Sequence, residues 1–318
     1  MAVCVERYLL FCVFLCCTWF SLVQYSQAAE SDAWYGASGL SLVPHLFYRV
    51  EGDKKLTHSE VRADNDWQSV NGNSDFGFNS PPHWFYLDLT PFPHSEKAQL
   101  LEVTYGQNDQ VDMYLYRDGV FYQHLRSGDS IRFVEKSASH RLTIFPLPEH
   151  TFSQLDVYFR IETEGTVKLP LYLWDAESFY ERDKYLLVWY GVVFGAALIM
   201  VIYNVIIFTL IRQLSSVYYI LYMLGAILVI GLIEGIWHQF IWPDNPSASN
   251  RVMLLAAGFT YLMSVCFTYT FLSLGKNSKA LSYLAYYLMF AMSFMIVISF
   301  WAPYGDIILP FTLTGILV

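Results

Sequence analysis

Charged residues are scarce in this chain, and their scarcity is uneven. Asp, Glu, Lys and Arg make up 15% of the 318 residues, while hydrophobic residues make up 55%. The usual charged share is about 25%. Residues 30–184 carry charges throughout, whereas residues 185–318 carry only a few. This contrast argues against a uniformly soluble protein and predicts a polar half followed by a membrane-embedded half.

Cysteine is almost absent beyond the first residues. Cys266 lies in a late apolar run, and the other four are at the N-terminus: Cys4, Cys12, Cys16 and Cys17. There, a basic start, an apolar stretch and small residues at Ser26 and Ala28 predict a signal peptide over residues 1–28, with an uncleaved anchor as the alternative. The exported half therefore lacks disulfides and must be held by its own hydrophobic core.

Motifs for catalysis and for cofactors are missing from the sequence. It contains no Gly-rich phosphate loop that opens a helix and no zinc signature, so we expect no cofactor, no metal site and no enzymatic activity. Residues 29–184 contain 14 basic and 24 acidic residues, a difference of −10. This acidic surface argues against nucleic acid or anionic lipid as a partner.

Short alternating segments fill the exported half. Apolar and polar residues alternate with period two over residues 83–89, 111–116, 157–161 and 169–174, between turns such as Asp118-Gly119. This spacing is typical of strands in an all-β sandwich. We therefore predict a jelly-roll-like sandwich, with its domain over residues 29–180.

The two faces of these strands differ in chemistry. One face is aliphatic and rich in Phe, which suits the space between two sheets. The other can stack a sugar ring and bind its hydroxyls, because Tyr and Trp join an apolar ring to a polar group. The candidate ligand-binding residues are Trp84, Tyr86, Asp88, Asp112, Tyr114, Tyr116, Tyr158 and Arg160. The alternatives are a solvated face or a surface that packs on the membrane helices or on a partner subunit.

Four apolar stretches in residues 181–318 approach or exceed the ~20 residues that cross a bilayer. The sequence predicts an all-α bundle of transmembrane helices over residues 185–211, 217–242, 252–274 and 281–302, with an incomplete fifth over 307–318. The short links at 212–216 and 275–280 hold Lys and Arg but no acid. They are therefore expected in the cytoplasm, with the sandwich on the other side.

Three polar residues lie within the predicted helices. Asn204 is expected to form a helix–helix contact. Glu234 and His238 are four residues apart, so they are expected to share one face of the second helix. Ionisable groups inside a membrane are functional candidates, and a hydrogen bond that stabilises the bundle is the alternative.

Two groups of residues resemble one known family. The helices contain Tyr203-Asn204, Arg212, Tyr218-Tyr219, Gly231, Gly235 and Trp242-Pro243, and the exported half contains Leu56-Thr57, Phe76-Gly77-Phe78, Trp84, Val111–Tyr114 and Tyr158–Ile161. The helical group resembles the opening helices of the bacterial seven-transmembrane receptors with diverse intracellular signalling modules (7TMR-DISM). The group in the exported half is similar to their type 2 extracellular domain.

The resemblance implies a periplasmic sensor domain, similar to carbohydrate-binding modules, on a seven-helix bundle in the bacterial inner membrane. Family members carry a cytoplasmic output module, often a diguanylate cyclase or a histidine kinase, so this chain is expected to be a fragment. The expected partners are a small-molecule ligand with carbohydrate as the candidate class, the lipid bilayer, and a second copy in a homodimer.

The leading hypothesis is the sensor and transmembrane portion of a signalling receptor, with residues 175–184 carrying the signal into the helices. A membrane enzyme acting on envelope glycans is the alternative, and its candidate group would be Glu234, His238 and Asp244. A transporter is a third hypothesis, which would need polar residues along several helices.

Overall fold

A run of short strands precedes a run of apolar helices in this structure, which is a computed structural model. It describes residues 39–52, 54–64, 66–72, 74–78, 81–92, 97–148, 154–241, 243–244, 249–302 and 304–316, and the predicted signal peptide lies outside them. Residues Ser41–Val318 belong to one unit, so the strands and helices are described together.

The strands and the first helix occupy residues 40–175. The strands are β1 (Leu40–Ser41), β2 (Phe47–Val50), β3 (Gln68–Ser69), β4 (Asp75–Phe78), β5 (His83–Asp88), β6 (Gln99–Val103), β7 (Gln110–Arg117), β8 (Val120–Ser127), β9 (Thr143–Pro146), β10 (Leu155–Glu162), β11 (Thr166–Lys168) and β12 (Leu171–Asp175). The short helix α1 (His58–Ala63) lies between β2 and β3.

Two main sheets form the sandwich. The six-stranded sheet has the order β3-β2-β5-β10-β7-β8, the four-stranded sheet has the order β1-β12-β6-β9, and β4 pairs with β11 in a small third sheet. The pairings among β2, β5, β10, β7 and β8 are all antiparallel. The predicted all-β sandwich is confirmed.

Alternation along the strands builds the core. Phe159 of β10 lies opposite Phe85 of β5 and Met113 of β7, and all three side chains are fully buried. Leu101 and Leu173 from the four-stranded sheet join the same apolar cluster. The aliphatic and Phe-rich face therefore fills the space between the sheets, as expected.

The remaining helices follow the sandwich. They are α2 (Ala176–Ile211), α3 (Leu214–Ile233), α4 (Ile236–Phe240), α5 (Ser249–Phe271), α6 (Leu274–Asn277), α7 (Lys279–Ile298) and α8 (Tyr304–Ile316). By length and composition, four of the helices in the described residues can cross a membrane, namely α2, α3, α5 and α7. A 20-residue helix is about 30 Å long, which matches the hydrocarbon thickness of a bilayer.

The first membrane helix begins at Ala176, nine residues before its predicted start at residue 185. A linker is the expectation for residues 175–184, yet all but Asp175 belong to the continuous 36-residue helix α2. No glycine or proline interrupts residues 176–184, so the backbone continues as a helix from the end of β12. The sandwich is therefore joined to the membrane by a helix.

The second predicted helix is not continuous. Helix α3 ends at Ile233, Glu234 follows it, and Gly235 adopts a left-handed conformation with φ 69° before α4 begins. A glycine in this conformation is a common helix terminator, because other residues are strained there. The prediction that Glu234 and His238 share one face of a single helix is wrong.

Candidate functional site

Eight predicted site residues lie on the outer face of the six-stranded sheet. In the register of β5, β10 and β7, they form cross-strand rows: Trp84–Arg160–Asp112, then Tyr86–Tyr158–Tyr114, then Asp88–Asp156–Tyr116. These three rows contain nine residues, and the ninth, which the sequence did not mark as a candidate, is Asp156. The sequence predicts this strand from Val157, one residue later. The structure thus brings all eight candidates together in one patch, here called the outer face.

Helix α1 covers the centre of this face. It forms because Thr57 caps its N-terminus and Glu60 completes a capping box. Val61 of α1 is fully buried against Trp84, Tyr116 and Tyr158. Burying such a side chain stabilises the fold by roughly 1.5–3 kcal/mol, so the centre of the face is a packed cluster and only its margins are open.

A buried ion pair fixes the start of the segment over residues 56–63, which covers the outer face and is here called the covering segment. Arg160 Nε donates to Glu51 Oε2 at 2.7 Å, and Trp84 Nε1 donates to the same oxygen at 3.1 Å. The other Glu51 oxygen accepts the backbone N–H of Leu56. Burial acts to lower the pKa of Arg160, but its hydrogen bonds to Glu51 and Glu162 outweigh that effect and raise the pKa. Glu51 therefore holds the covering segment to the sheet.

One margin of the outer face remains partly open and carries both rings and acids. The centroid of the Tyr86 ring lies 5.6 Å from the centroid of the Trp67 ring and 6.2 Å from that of the Phe47 ring. Tyr86 Oη donates to Asp156 Oδ1 at 3.0 Å, and Asp88 lies opposite Asp156 in the register. Burial and the Asp156 carboxylate raise the pKa of Tyr86. This margin combines an aromatic surface with hydrogen-bond acceptors.

The opposite margin is closed by a stack of rings. His58 of α1 stacks on Phe121 at 4.9 Å and on Tyr114 at 4.8 Å, and Tyr114 stacks on His124 at 4.4 Å. His58 Nδ1 also lies 2.6 Å from Tyr116 Oη. Burial, and then the nearby His124, lower the pKa of His58. The neutral imidazole therefore suits this packed position.

A second cluster joins the sandwich to the helices. Arg141, which lies just before β9, donates to Asp183 Oδ1 of α2 at 2.5 Å and to the backbone oxygen of Glu234 at 3.1 Å. His140 Nε2 lies 3.1 Å from Asp183 Oδ2, and the Arg141 side chain is 1% exposed. These four residues are here called the junction cluster, and they connect one sandwich loop to two helices.

Three further contacts join the sandwich to the helices. Arg182 of α2 pairs with Glu102 of β6 at 2.5 Å and lies over the Trp174 ring of β12 at 4.5 Å. Burial raises the pKa of Glu102, although Arg182 acts in the opposite direction. At the end of the sandwich near β7, Asp109 Oδ1 accepts a hydrogen bond from Asn250 of α5 at 2.7 Å.

The polar residues predicted within the helices have three different surroundings. Asn204 donates to the backbone oxygen of Met200, in its own helix, at 2.9 Å. Glu234 belongs to the junction cluster, with Oε2 3.7 Å from Arg141. His238 is 6% exposed, and its ring lies 6.2 Å from that of Phe133 in a sandwich loop. Glu234 and His238 therefore contact different parts of the sandwich.

Metal ligands are not gathered in the described ranges, where no group of three or more His, Cys, Asp or Glu side chains could hold a metal ion.

Sequence patterns did not mark Arg141, Asp183 and Glu51 as contact residues. Arg141 lies 42 residues from Asp183 and 93 residues from Glu234 along the chain, and Glu51 lies 109 residues from Arg160. No local pattern marks such distant contacts.

The fold and junction define a class: a multi-pass membrane protein with an N-terminal extracytoplasmic β-sandwich. A family model described as 7TMR-DISM extracellular 2 matches residues 44–175, and one described as 7TM diverse intracellular signalling matches residues 186–318. The chain belongs to the 7TMR-DISM family, whose arrangement of an extracellular domain and a 7TM region is that of a receptor.

Similarity to other known proteins is limited. No curated protein matches the chain. A calcium binding mutant of Bacteroides uniformis beta-glucuronidase 2 matches with a TM-score of 0.30 and 12% sequence identity, over 42% of this chain and 17% of that chain.

Proposed function

We propose that this chain is the sensor and membrane portion of a bacterial signal-transduction receptor. It lies in the inner membrane with its sandwich in the periplasm, binds a carbohydrate outside, and passes a conformational signal to a cytoplasmic cyclase or kinase module. The observation that carries this proposal is the junction cluster, because Arg141 of the sandwich forms a buried ion pair with Asp183 of α2 and donates a hydrogen bond to the backbone oxygen of Glu234, just after α3.

The ligand proposal rests on the open margin of the outer face. Trp67 and Tyr86 offer ring faces for stacking against a sugar, and Asp88 offers an acceptor for its hydroxyls. Residues 29–184 have a formal net charge of −10, from 14 basic and 24 acidic residues. A neutral saccharide therefore suits this surface better than an anionic one.

The signal proposal rests on the continuity of α2. This helix follows β12 directly, and its first turns carry Arg182 and Asp183, which contact Glu102 and Arg141. A ligand that binds one arrangement of sandwich and helices better than another shifts the population between them. A displacement of the sandwich then moves α2 and the end of α3 together.

Calorimetry on the chain in lipid nanodiscs tests the ligand, with cellohexaose, maltohexaose and chitohexaose as probes. We expect one of them to bind, and we expect Tyr86→Ala and Trp67→Ala to weaken binding about tenfold or more. Tyr122→Ala is the matched control, because Tyr122 lies on β8 outside the open margin, and it is expected to bind normally. Failure of all three probes rejects the carbohydrate ligand.

An insertion tests the signal route. Two residues, Gly-Ser, inserted after Phe179 rotate the rest of α2 by about 200° relative to the sandwich. We expect the variant to bind the saccharide but to lose ligand-induced changes in hydrogen exchange in α2 and α3. The same insertion after Arg212, between α2 and α3, is the control that leaves Arg182 and Asp183 in place. Ligand-induced changes that persist in α2 after the first insertion contradict the route.

A further inference from the structure

One loop of the sandwich lies against the outer end of the helices. It connects β8 to β9 over residues 128–142, is here called the junction loop, and contains Arg141 of the junction cluster. Earlier in this loop, the Phe133 backbone N–H donates to the Pro243 oxygen at 3.0 Å, and the Phe133 ring lies 6.2 Å from that of His238. The junction loop therefore contacts the chain between the membrane-crossing helices α3 and α5 at α4 and at Pro243.

The depth of α4 in the membrane follows from its contacts with the neighbouring helices. Trp237 Nε1 donates to the backbone oxygen of Leu228 in α3 at 2.8 Å, and the Trp237 ring stacks on Phe194 of α2 with 5.9 Å between centroids. Leu228 lies five residues before the last residue of α3, which is about 7.5 Å along the helix. Helix α4 therefore turns back beside the last turns of α3, and it lies at the outer boundary of the hydrocarbon layer.

Three apolar side chains are exposed where the junction loop meets the end of α4. Val134 is 71% exposed, Phe240 69% and Ile241 57%. Val134 follows Phe133 directly and Ile241 lies two residues before Pro243, so the hydrogen bond between Phe133 and Pro243 places both near the same point. The three exposed side chains are here called the boundary patch. Two different parts of the chain contribute to it, one from the sandwich and one from the helices.

We propose that the boundary patch binds the outer leaflet of the membrane, and that Val134 carries the sandwich itself into the zone between the lipid headgroups and the acyl chains. The sandwich then has a membrane contact of its own, in addition to the helices that cross the bilayer. This contact fixes the height of the junction loop above the hydrocarbon layer. It does not depend on the identity of the ligand that the outer face binds.

Continuity with the membrane-crossing helices favours lipid over a protein partner. On α2, Val192 lies two residues from Phe194, the residue that stacks on Trp237 of α4, and Val192 is 56% exposed. Lipid therefore reaches side chains of α2 at the depth of α4. Phe240 and Ile241 lie within one turn of Trp237 along the chain, so the boundary patch continues an apolar surface that the bilayer already covers.

The charges beside Val134 suit a lipid surface without net charge. Arg132 and Glu135 lie on either side of Phe133 and Val134, pair with each other, and have side chains that are 56% and 49% exposed. Such a pair adds no net charge, and long charged side chains can stay among the headgroups while an apolar neighbour lies deeper. The acidic sandwich also disfavours anionic lipid. We therefore expect the contact to form on zwitterionic lipid.

Spin-label accessibility in phosphatidylcholine nanodiscs tests this depth. Nitroxides are attached to Val134→Cys and to Val120→Cys, in a full chain whose own cysteines are replaced by serine. Val120 is the matched control, because it is a valine of the sandwich that is 70% exposed but lies on β8. Oxygen concentrates in lipid and a nickel chelate stays in water, so we expect the ratio of oxygen to nickel collisions to be about fivefold or more higher at position 134 than at position 120.

The variant Phe240→Cys should give a ratio similar to that of Val134→Cys, since both positions belong to the boundary patch. Equal ratios at positions 134 and 120 overturn the proposal. Low accessibility to both reagents at position 134 also overturns it, because a protein partner on the patch excludes oxygen as well as the nickel chelate.

A charge substitution in the chain with its own cysteines supplies an independent measurement. Val134→Asp places a carboxylate at the lipid boundary, so we expect the protection of residues 131–137 and 236–241 against hydrogen exchange in nanodiscs to fall about threefold or more. Val134→Leu keeps an apolar side chain and should retain this protection, and Val120→Asp should leave it unchanged. Full protection in Val134→Asp is the contrary result, because the junction loop then does not depend on lipid.

Discussion

At the scale of single residues, this fold depends on a few buried charges that lie between its layers. Glu51 is the central example, because one carboxylate accepts hydrogen bonds from a guanidinium, an indole and a backbone N–H. A group with three partners from distant segments holds those segments in register. Its removal therefore affects the covering segment as well as the ion pair.

Glu51→Gln should destabilise the sandwich by about 3 kcal/mol, because it removes the buried partner of Arg160 and leaves only the exposed Glu162 to compensate that charge. The measurement is the free energy of unfolding of the detergent-solubilised chain in urea, monitored by the hydrogen exchange of β5 and β10. Glu135→Gln is the matched control, since Glu135 pairs with Arg132 at the exposed surface, and its effect should stay below about 1 kcal/mol. Equal effects of the two substitutions contradict a structural role for the buried pair.

His58 should make the attachment of α1 dependent on pH. Its pKa is lower in the folded chain than the ordinary value of 6.5, so the unfolded or detached state binds more protons at mildly acidic pH. The stabilisation by neutral His58 is complete above pH 6.5 and is lost as the pH falls through the folded pKa. The protection of residues 56–64 against hydrogen exchange, corrected for the intrinsic exchange rate at each pH, should therefore fall as the pH is lowered below 6.5.

The variant His58→Phe should flatten this pH dependence, because it keeps the ring stack but cannot take up a proton. His45→Phe is the control, since the His45 ring contacts Phe92, after β5, and its pH dependence should resemble that of the unsubstituted chain. If His58→Phe retains the full acid response, another group is responsible for it.

At the scale of elements, the break between α3 and α4 positions two side chains that a continuous helix would place together. Gly235 allows the break through its left-handed backbone, and a Cβ at this position would lie 2.9 Å from the backbone oxygen of Arg141. The sandwich loop therefore approaches the end of α3 more closely than any side chain at residue 235 permits. The break and the junction cluster depend on the same glycine.

Gly235→Ala should loosen the junction, because alanine is strained by about 1 kcal/mol in a left-handed conformation and its Cβ also meets the loop backbone. The expected result is faster hydrogen exchange in residues 138–142 and 233–240. Gly191→Ala is the control, since a Cβ there meets nothing within 4 Å, and alanine in a helix stabilises it by up to about 1 kcal/mol. Unchanged exchange in Gly235→Ala is the contrary result.

At the scale of the whole molecule, the sandwich and the helices are connected by charges from different parts of the chain. Arg141 reaches α2 and the end of α3, and Arg182 reaches back from α2 to β6. We expect these contacts to make the unfolding of the two halves cooperative, since the halves can separate only if the buried hydrogen-bonded pairs break. The proposed conformational signal requires such coupling between the two halves.

Arg141→Met should separate the unfolding of the sandwich from that of the helices. Calorimetry in detergent should show two transitions where the unsubstituted chain shows one, with the sandwich destabilised by about 3 kcal/mol. Arg132→Met, which removes an exposed pair with Glu135, is the control and should leave a single transition. A single transition in Arg141→Met shows that the junction cluster does not couple the halves.

The sequence by itself determined the class of each half and the chemistry of the outer face. Alternation with period two and apolar runs of membrane length are local properties, so they predicted the strands, the helices and the side on which Trp84, Tyr86 and Asp88 lie. They could not predict that Val61 covers Trp84, that Gly235 separates Glu234 from His238, or that Arg141 pairs with Asp183. Only the tertiary structure decided these features, because each depends on contacts between segments far apart along the chain, and such contacts leave no periodic signal in the sequence.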